Sequence, residues 1–306
     1  MAFRGLMTVI LASILSACLP VIGFRTAEPV DAPAGYERFF SPAPHAFRFV
    51  EARVGEPARR GDRAERFELR DGDCGGSDCG NPRYRAEIRM LDDTIRARSG
   101  EDIWYGWSLY NASLPAFERR DSLRVVLGQW TMGGGVSPAI RLIQLGADEG
   151  NWTECTQAVC AGPETASGDV AIQLEDLRRA LDWGPAQNDG YVCRLFDSQQ
   201  ARNRWTDITL NTNFASGLDG YLRVWVNGVL KCDYRGPVVS QNSLLESLRP
   251  EHRRGVFVSY SKRWEDTHPG RPKPTLIVYY DEFRVGRSRA DVDVFMLERA
   301  GVAPVD

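Results

Sequence analysis

The chain has little histidine: only His45, His252 and His268 occur in its 306 residues. That leaves few imidazoles for acid–base work or for a histidine-rich metal centre. It also lacks a G-x-S-x-G nucleophile elbow, a P-loop and an H-E-x-x-H helix, the local signatures of α/β-hydrolases, phosphate-cradling loops and zinc peptidases. No stretch carries E-x-D-x-x-E spacing, so hydrolysis by a carboxylate pair on one strand is unsupported, although pairs distant in sequence stay open. No internal repeat and no low-complexity domain is present. The formal charge of −3 argues neither for nor against an acidic ligand.

Long apolar runs are also missing, apart from residues 5–16 near the N-terminus. Arg4 precedes that run and Leu15-Ser16-Ala17-Cys18 follows it. A basic start, a short apolar segment and small residues before a cysteine have the layout of a lipoprotein export signal, too short for a membrane span. The expectation is a signal peptide over 1–17, lipidation of Cys18, a proline- and alanine-containing tether over 18–40 and an exported protein of the cell envelope. An ordinary signal peptide that happens to hold a cysteine is the alternative. Such a protein touches a membrane only through its lipid.

With Cys18 set aside, six cysteines remain, an even number suited to an oxidising compartment. Cys74 with Cys79 and Cys155 with Cys160 form two local pairs. Cys193 and Cys232 each lie in a strand-like stretch and are left to bridge two strands. A metal site built from both C-x-x-x-x-C pairs is the competing arrangement, with no histidine nearby to support it.

The body, residues 41–290, reads as short runs rich in β-branched and aromatic residues, punctuated by Gly, Pro, Asn and Asp. Examples are 46–53, 84–90, 103–110, 123–130, 139–145, 191–196, 205–210, 221–226, 255–261 and 275–285. This spacing predicts an all-β sandwich of antiparallel strands rather than βαβ units. In 221–226, Leu222, Val224 and Val226 share one face while Tyr221, Arg223 and Trp225 share the other, a composition that suits a sugar-facing surface as well as an ordinary half-exposed strand. Asn227-Gly228 then predicts a type I′ hairpin turn. One short helix is expected over 174–183, where Leu174, Leu177 and Leu181 recur at helical spacing before Gly184-Pro185. Residues 291–306 read as a C-terminal tail or closing segment.

Arg85, Glu87 and Arg89 alternate on one strand and face one way. Gln129 follows an apolar run, Arg141 sits in a strand-like segment, and Tyr260 and Lys262 alternate over 255–262. Cationic, amide and phenolic groups of this kind suit β-elimination of a uronic-acid polysaccharide. Charge stabilisation at the sugar carboxylate acidifies the C5 proton. A base must take that proton and an acid must protonate the departing O4. A tyrosine near cations can serve either role.

The ordered blocks CGGSDCGNPRYRAEIR, YGWSLY, LGQW, RWTDITLNT, DGYLRVWVNGVLKCDYRGP, FVSYSK and YYDEFRVG span about residues 45–290. Together they resemble the heparin lyase I-like branch of the polysaccharide lyases, kin to glucuronan and alginate lyases. The resemblance implies a β-jelly roll with a concave groove and lyase chemistry on an acidic polysaccharide or oligosaccharide. Carried onto this chain, Arg85 would bind the substrate carboxylate with Glu87 orienting it. Gln129 would neutralise the same carboxylate, and Tyr260 would be the acid and also a candidate base. Arg89, Tyr105, Arg141 and Lys262 would contact neighbouring sugars. The chain departs from the family where Gln-Trp-His or Gln-Ile-His is common, because it reads Gln129-Trp130-Thr131. Either Tyr260 performs both steps, or His252 or His268 moves in from a loop, or activity is lost. A non-catalytic carbohydrate-binding module and a sandwich glycoside hydrolase are the alternative functions. No cofactor, nucleic acid or second subunit is implied. A structural calcium is compatible with such folds, although no ligand loop of recognisable spacing is present.

Overall fold

The computed structural model describes residues 32–40, 42–80, 83–91, 96–116, 124–132, 138–144, 169–174, 191–239, 249–259 and 261–306. These form two seven-stranded antiparallel sheets packed as a jelly-roll sandwich. The first sheet runs, edge to edge, β1 (Tyr36–Phe40), β4 (Tyr84–Met90), β13 (Glu251–Ser259), β6 (Arg124–Thr131), β7 (Ile140–Gln144), β8 (Asp169–Leu174) and β9 (Val192–Asp197). The second runs β12 (Val229–Arg235), β11 (Tyr221–Val226), β10 (Trp205–Thr212), β5 (Ile103–Asn111), β14 (Leu276–Gly286), β3 (Arg63–Leu69) and β2 (Phe47–Glu51).

Period-two patterning places the core. Ala86, Ile88, Met90, Leu127, Trp130, Ile140, Leu142 and Ile172 of the first sheet meet Phe67, Tyr105, Trp107, Ile208, Leu210, Leu222 and Val224 of the second. Each large side chain so buried contributes roughly 1.5–3 kcal/mol. The β11–β12 hairpin turns through Asn227 and Gly228 at φ of 49° and 79°, the type I′ geometry expected from the dipeptide. Its alternation is also as read, with Leu222, Val224 and Val226 buried. However, Tyr221, Arg223 and Trp225 lie on the outer face of the second sheet, the opposite side from Arg85 and Gln129. There Trp225 stacks on Trp104 at 5.4 Å and Arg289 covers its ring at 4.7 Å.

The N-terminal boundary of the body differs from expectation. Tyr36–Phe40, read as tether, pairs with β4 from Tyr36↔Met90 to Phe40↔Ala86, so the sheet claims these residues. Of the two readings of residues 291–306, tail or closing segment, the structure shows the second. Two short helices, α2 (Arg289–Val292) and α3 (Val294–Arg299), bury Val292, Val294 and Leu297 against the second sheet. Leu174 closes β8, and the remainder of the expected helix over 174–183 lies outside the described residues. So do the expected signal segment, Cys18 and the expected Cys155–Cys160 pair. Cys74–Cys79 and Cys193–Cys232 are both bonded, and the second joins β9 to β12 across the two sheets.

Two buried polar groups mark the interior. Arg254 points inward from β13 and forms a two-point bridge to Glu65 of β3, with Nε and Nη2 both 2.6 Å from the carboxylate oxygens. Its guanidinium lies between the rings of Tyr36 and Phe283, 4.2 Å from each. His252 also points inward, stacked on Phe283 at 4.7 Å and packed against Trp130 at 4.9 Å. Burial, reinforced by Arg254, holds its pKa well below the ordinary value, so it folds neutral. The unfolded chain therefore binds a proton here that the folded chain refuses. Stability contributed by the neutral imidazole is full above a pH of about 6.5 and is lost by up to about 1.4 kcal/mol per unit as pH falls below it. Urea unfolding at pH 7, 6 and 5 should show this slope in the wild type, and His252→Phe should flatten it; equal slopes would exclude His252 as its source.

Candidate active site

The outer face of the first sheet carries the site. Gly255 fixes its geometry, with φ of 135° and no room for a side chain, since a Cβ would stand 2.1 Å from the Ala86 carbonyl oxygen. Ordinary alternation along β13 faces Arg253 and Phe257 outward and Arg254 toward the core, while a register shift against β6 between Arg254 and Phe257 lets Val126 and Gln129, three residues apart, share the outer face.

The register then aligns one row across five strands. Arg89 lies opposite Arg253, Arg253 opposite Gln129, Gln129 opposite Arg141, and Arg141 opposite Gln173. Strand spacing makes the stretch from Arg89 to Arg141 about 14 Å long. Beside this polar row runs an apolar one of Phe257, Val126, Ile143 and Ala171. The face thus offers charge and hydrogen bonds along one line and a dry surface along the next.

Glu87 is the organising carboxylate. It is fully buried, accepts from Arg85 Nη1 at 3.0 Å through Oε2, and accepts from Gln129 Nε2 at 2.7 Å through Oε1. Burial raises its pKa, opposed chiefly by the charges of Arg85 and Arg253. Arg85 is also held by Asp78, which accepts from Nε at 2.6 Å and Nη2 at 3.3 Å. Glu251 lies among three arginines, 2.6 Å from Arg253, 3.9 Å from Arg96 and 4.0 Å from Arg89. Arg89 pairs with Glu37 as well. Thr131, where the family often has histidine, stands opposite Glu251 in register on the same face.

The structure therefore places Arg85, Glu87, Arg89, Gln129 and Arg141 on one face. Three other expectations are corrected. Tyr105 points into the core, fully buried against Trp130 at 5.4 Å, because its position in β5 falls on the inward parity. Lys262 shares no strand face, since β13 ends at Ser259 and Lys262 begins helix α1 (Lys262–Thr267), where it is exposed and paired with Asp266 at 3.1 Å. His252 belongs to a strand and faces inward, so it does not reach the outer face from a loop. His268 follows α1 and stacks on Trp264 at 4.1 Å. Tyr260 lies outside the described residues. Sequence reading missed Arg253, Glu251, Gln173 and Asp78. The alternation of Glu251 with Arg253 was the available signal, but the strand was begun at Gly255.

The outer face of this jelly-roll sandwich is thus lined by arginines and amides. A sequence model of the polysaccharide lyase family matches residues 51–284, and the chain belongs to that family. No curated protein is similar to it in sequence. The solved structure of an endo-β-1,4-glucuronan lyase from the fungus Trichoderma reesei is similar with a TM-score of 0.52 at 16% identity, covering 81% of this chain and 90% of that one. An alginate lyase from Pseudomonas aeruginosa gives 0.44 at 14% identity, covering 78% and 90%. A marine alginate lyase from Zobellia galactanivorans gives 0.44 at 12%, covering 73% and 77%. The first of these supports the fold.

Proposed function

We propose that the chain cleaves a uronic-acid-containing polysaccharide by β-elimination, in the manner of the heparin lyase I-like branch. The observation that carries this reading is the row of Arg89, Arg253, Gln129 and Arg141 at one register level. Gln129 and its row neighbours meet the carboxylate of the sugar being cut and stabilise the negative charge that develops when C5 loses its proton. The C4–O4 bond then breaks, a C4=C5 double bond forms, and O4 takes up a proton. When H5 and O4 lie on one side of the ring, one phenol can do both jobs, and Tyr260 is assigned that role. The proton it accepts from C5 is the proton it returns to O4, so no histidine is required and Thr131 is no obstacle. The fold shared with a glucuronan lyase supports a polyuronate as the substrate class.

Incubation with a panel of acidic polysaccharides tests the reading. Elimination creates a conjugated, ultraviolet-absorbing end that hydrolysis does not, so rising absorbance with glucuronan, alginate or heparin-type polymers is the expected result. Binding of these polymers without unsaturated ends would replace the reading with that of a carbohydrate-binding module. We further propose that Cys18 anchors the protein in the cell envelope, with a diacylglycerol mass on the mature N-terminus as the check.

A further inference from the structure

Asp78 lies on a 3-10 turn, Gly76–Asp78, inside the loop that the Cys74–Cys79 disulfide closes. A loop this short gains little chain-entropy stabilisation from its bridge compared with the 39-residue separation of Cys193 and Cys232. The main effect of Cys74–Cys79 is thus local, fixing where Asp78 stands. Asp78 grips Arg85 at two points, at 2.6 Å on Nε and 3.3 Å on Nη2, the same fork geometry that an arginine offers to a uronate carboxylate. The guanidinium rests on the Phe257 ring at 4.2 Å. From Arg85 the contacts continue through Glu87 to the Gln129 amide at 3.0 and 2.7 Å. An unbroken chain of charge-assisted hydrogen bonds therefore runs from the disulfide loop to the row that meets the substrate.

We propose that Asp78 is a positioning residue for the elimination: braced by the Cys74–Cys79 bridge, it fixes Arg85, which through Glu87 sets the orientation of the Gln129 amide. This rests on the reading of the outer face as the site of elimination. It also reassigns Arg85. With its fork on Asp78, Arg85 holds Glu87 and Gln129 in place, and the uronate carboxylate falls to Gln129 and its row neighbours. Glu87 has no exposure to solvent, so its orientation depends on these partners. Replacing Asp78 by asparagine removes a charge and one acceptor while keeping the shape of the turn.

The test compares wild type, Asp78→Asn, the pair Cys74→Ser/Cys79→Ser, and all three changes together. Readouts are kcat and KM on the best polyuronate, and melting temperature. Asp78→Asn should lower kcat about tenfold or more, as small misplacements of reacting groups do, with KM within about threefold and melting nearly unchanged. The cysteine pair should lower kcat in the same direction. The triple variant should fall little further than the worse of the two, since all act through one chain of contacts. A kcat for Asp78→Asn within about twofold of wild type overturns the proposal. If wild type yields no unsaturated ends from any polyuronate, the elimination reading fails, and the coupling is read from the Gln129 side-chain amide resonances, assigned with Gln129→Ala. Displacement of those resonances by Asp78→Asn upholds the positioning chain, and unmoved resonances overturn it.

Discussion

Glu65→Leu should cost the protein about 3–5 kcal/mol of stability, because it leaves the Arg254 charge buried without its partner. The guanidinium is 3% exposed and the Glu65 carboxylate 11%. Both hydrogen bonds of the pair cross the sandwich from β13 to β3, so the loss falls on the contact between sheets. The flanking rings of Tyr36 and Phe283 stabilise the cation but offer no countercharge. The pair itself is a different matter. Two buried ions give up their hydration, and an apolar pair of similar volume often does as well. Glu65→Leu combined with Arg254→Leu should accordingly recover most of the loss, and the four-variant cycle should return a coupling of a few kcal/mol. Urea midpoints measure this directly. A single variant within about 1 kcal/mol of wild type would show that water reaches Arg254.

Tyr260→Phe should abolish the chemical step while leaving oligosaccharide binding intact. It removes one hydroxyl and keeps the ring. General acid–base roles are each worth roughly 10²–10⁴-fold, so a phenol acting as both base and acid should cost at least that in kcat. Among the described side chains of the outer face there is no imidazole and no phenol, and Tyr260 is the one tyrosine or histidine of the sequence outside the described residues. The measurement is the rate of unsaturated-end formation at saturating polymer, alongside the affinity for a saturated oligouronate. Activity within about threefold of wild type would remove Tyr260 from the mechanism, and a parallel loss of affinity would make it a binding residue instead.

The sandwich was legible because its signals are local. Alternation in YLRVWV and the Asn227-Gly228 turn specify strand, face and hairpin without reference to the rest of the chain. Arg85 and Glu87 could be found for the same reason, since the apolar Ala86 and Ile88 fix their parity; Gln129 and Arg141 were legible only through the family resemblance, because an irregular register puts Val126 and Gln129 on one face. Tyr105 was misplaced because β5, IWYGWSLYN, is aromatic or apolar on both faces, so parity carries no information there. Lys262 was misplaced because the change from strand to helix occurs within a few residues of Ser259. The pairing of β13 between β4 and β6, and of Arg254 with Glu65, joins segments far apart in sequence, and no period announces it. Asp78 lies in a loop, where position is set by a covalent bond rather than by patterning.

The bond between Cys193 and Cys232 gives the sandwich a spine. It ties β9 to β12, the outermost strands of opposite sheets on the same side. Both are edge strands, with one row of backbone groups unpaired within its sheet. With the spine sewn, the layers are held covalently at this margin and only by packing and the Arg254–Glu65 bridge toward the other. The molecule is thus a book bound along one margin. A denatured, unreduced copy keeps β9 and β12 tethered, so the loop between them is already closed when folding begins.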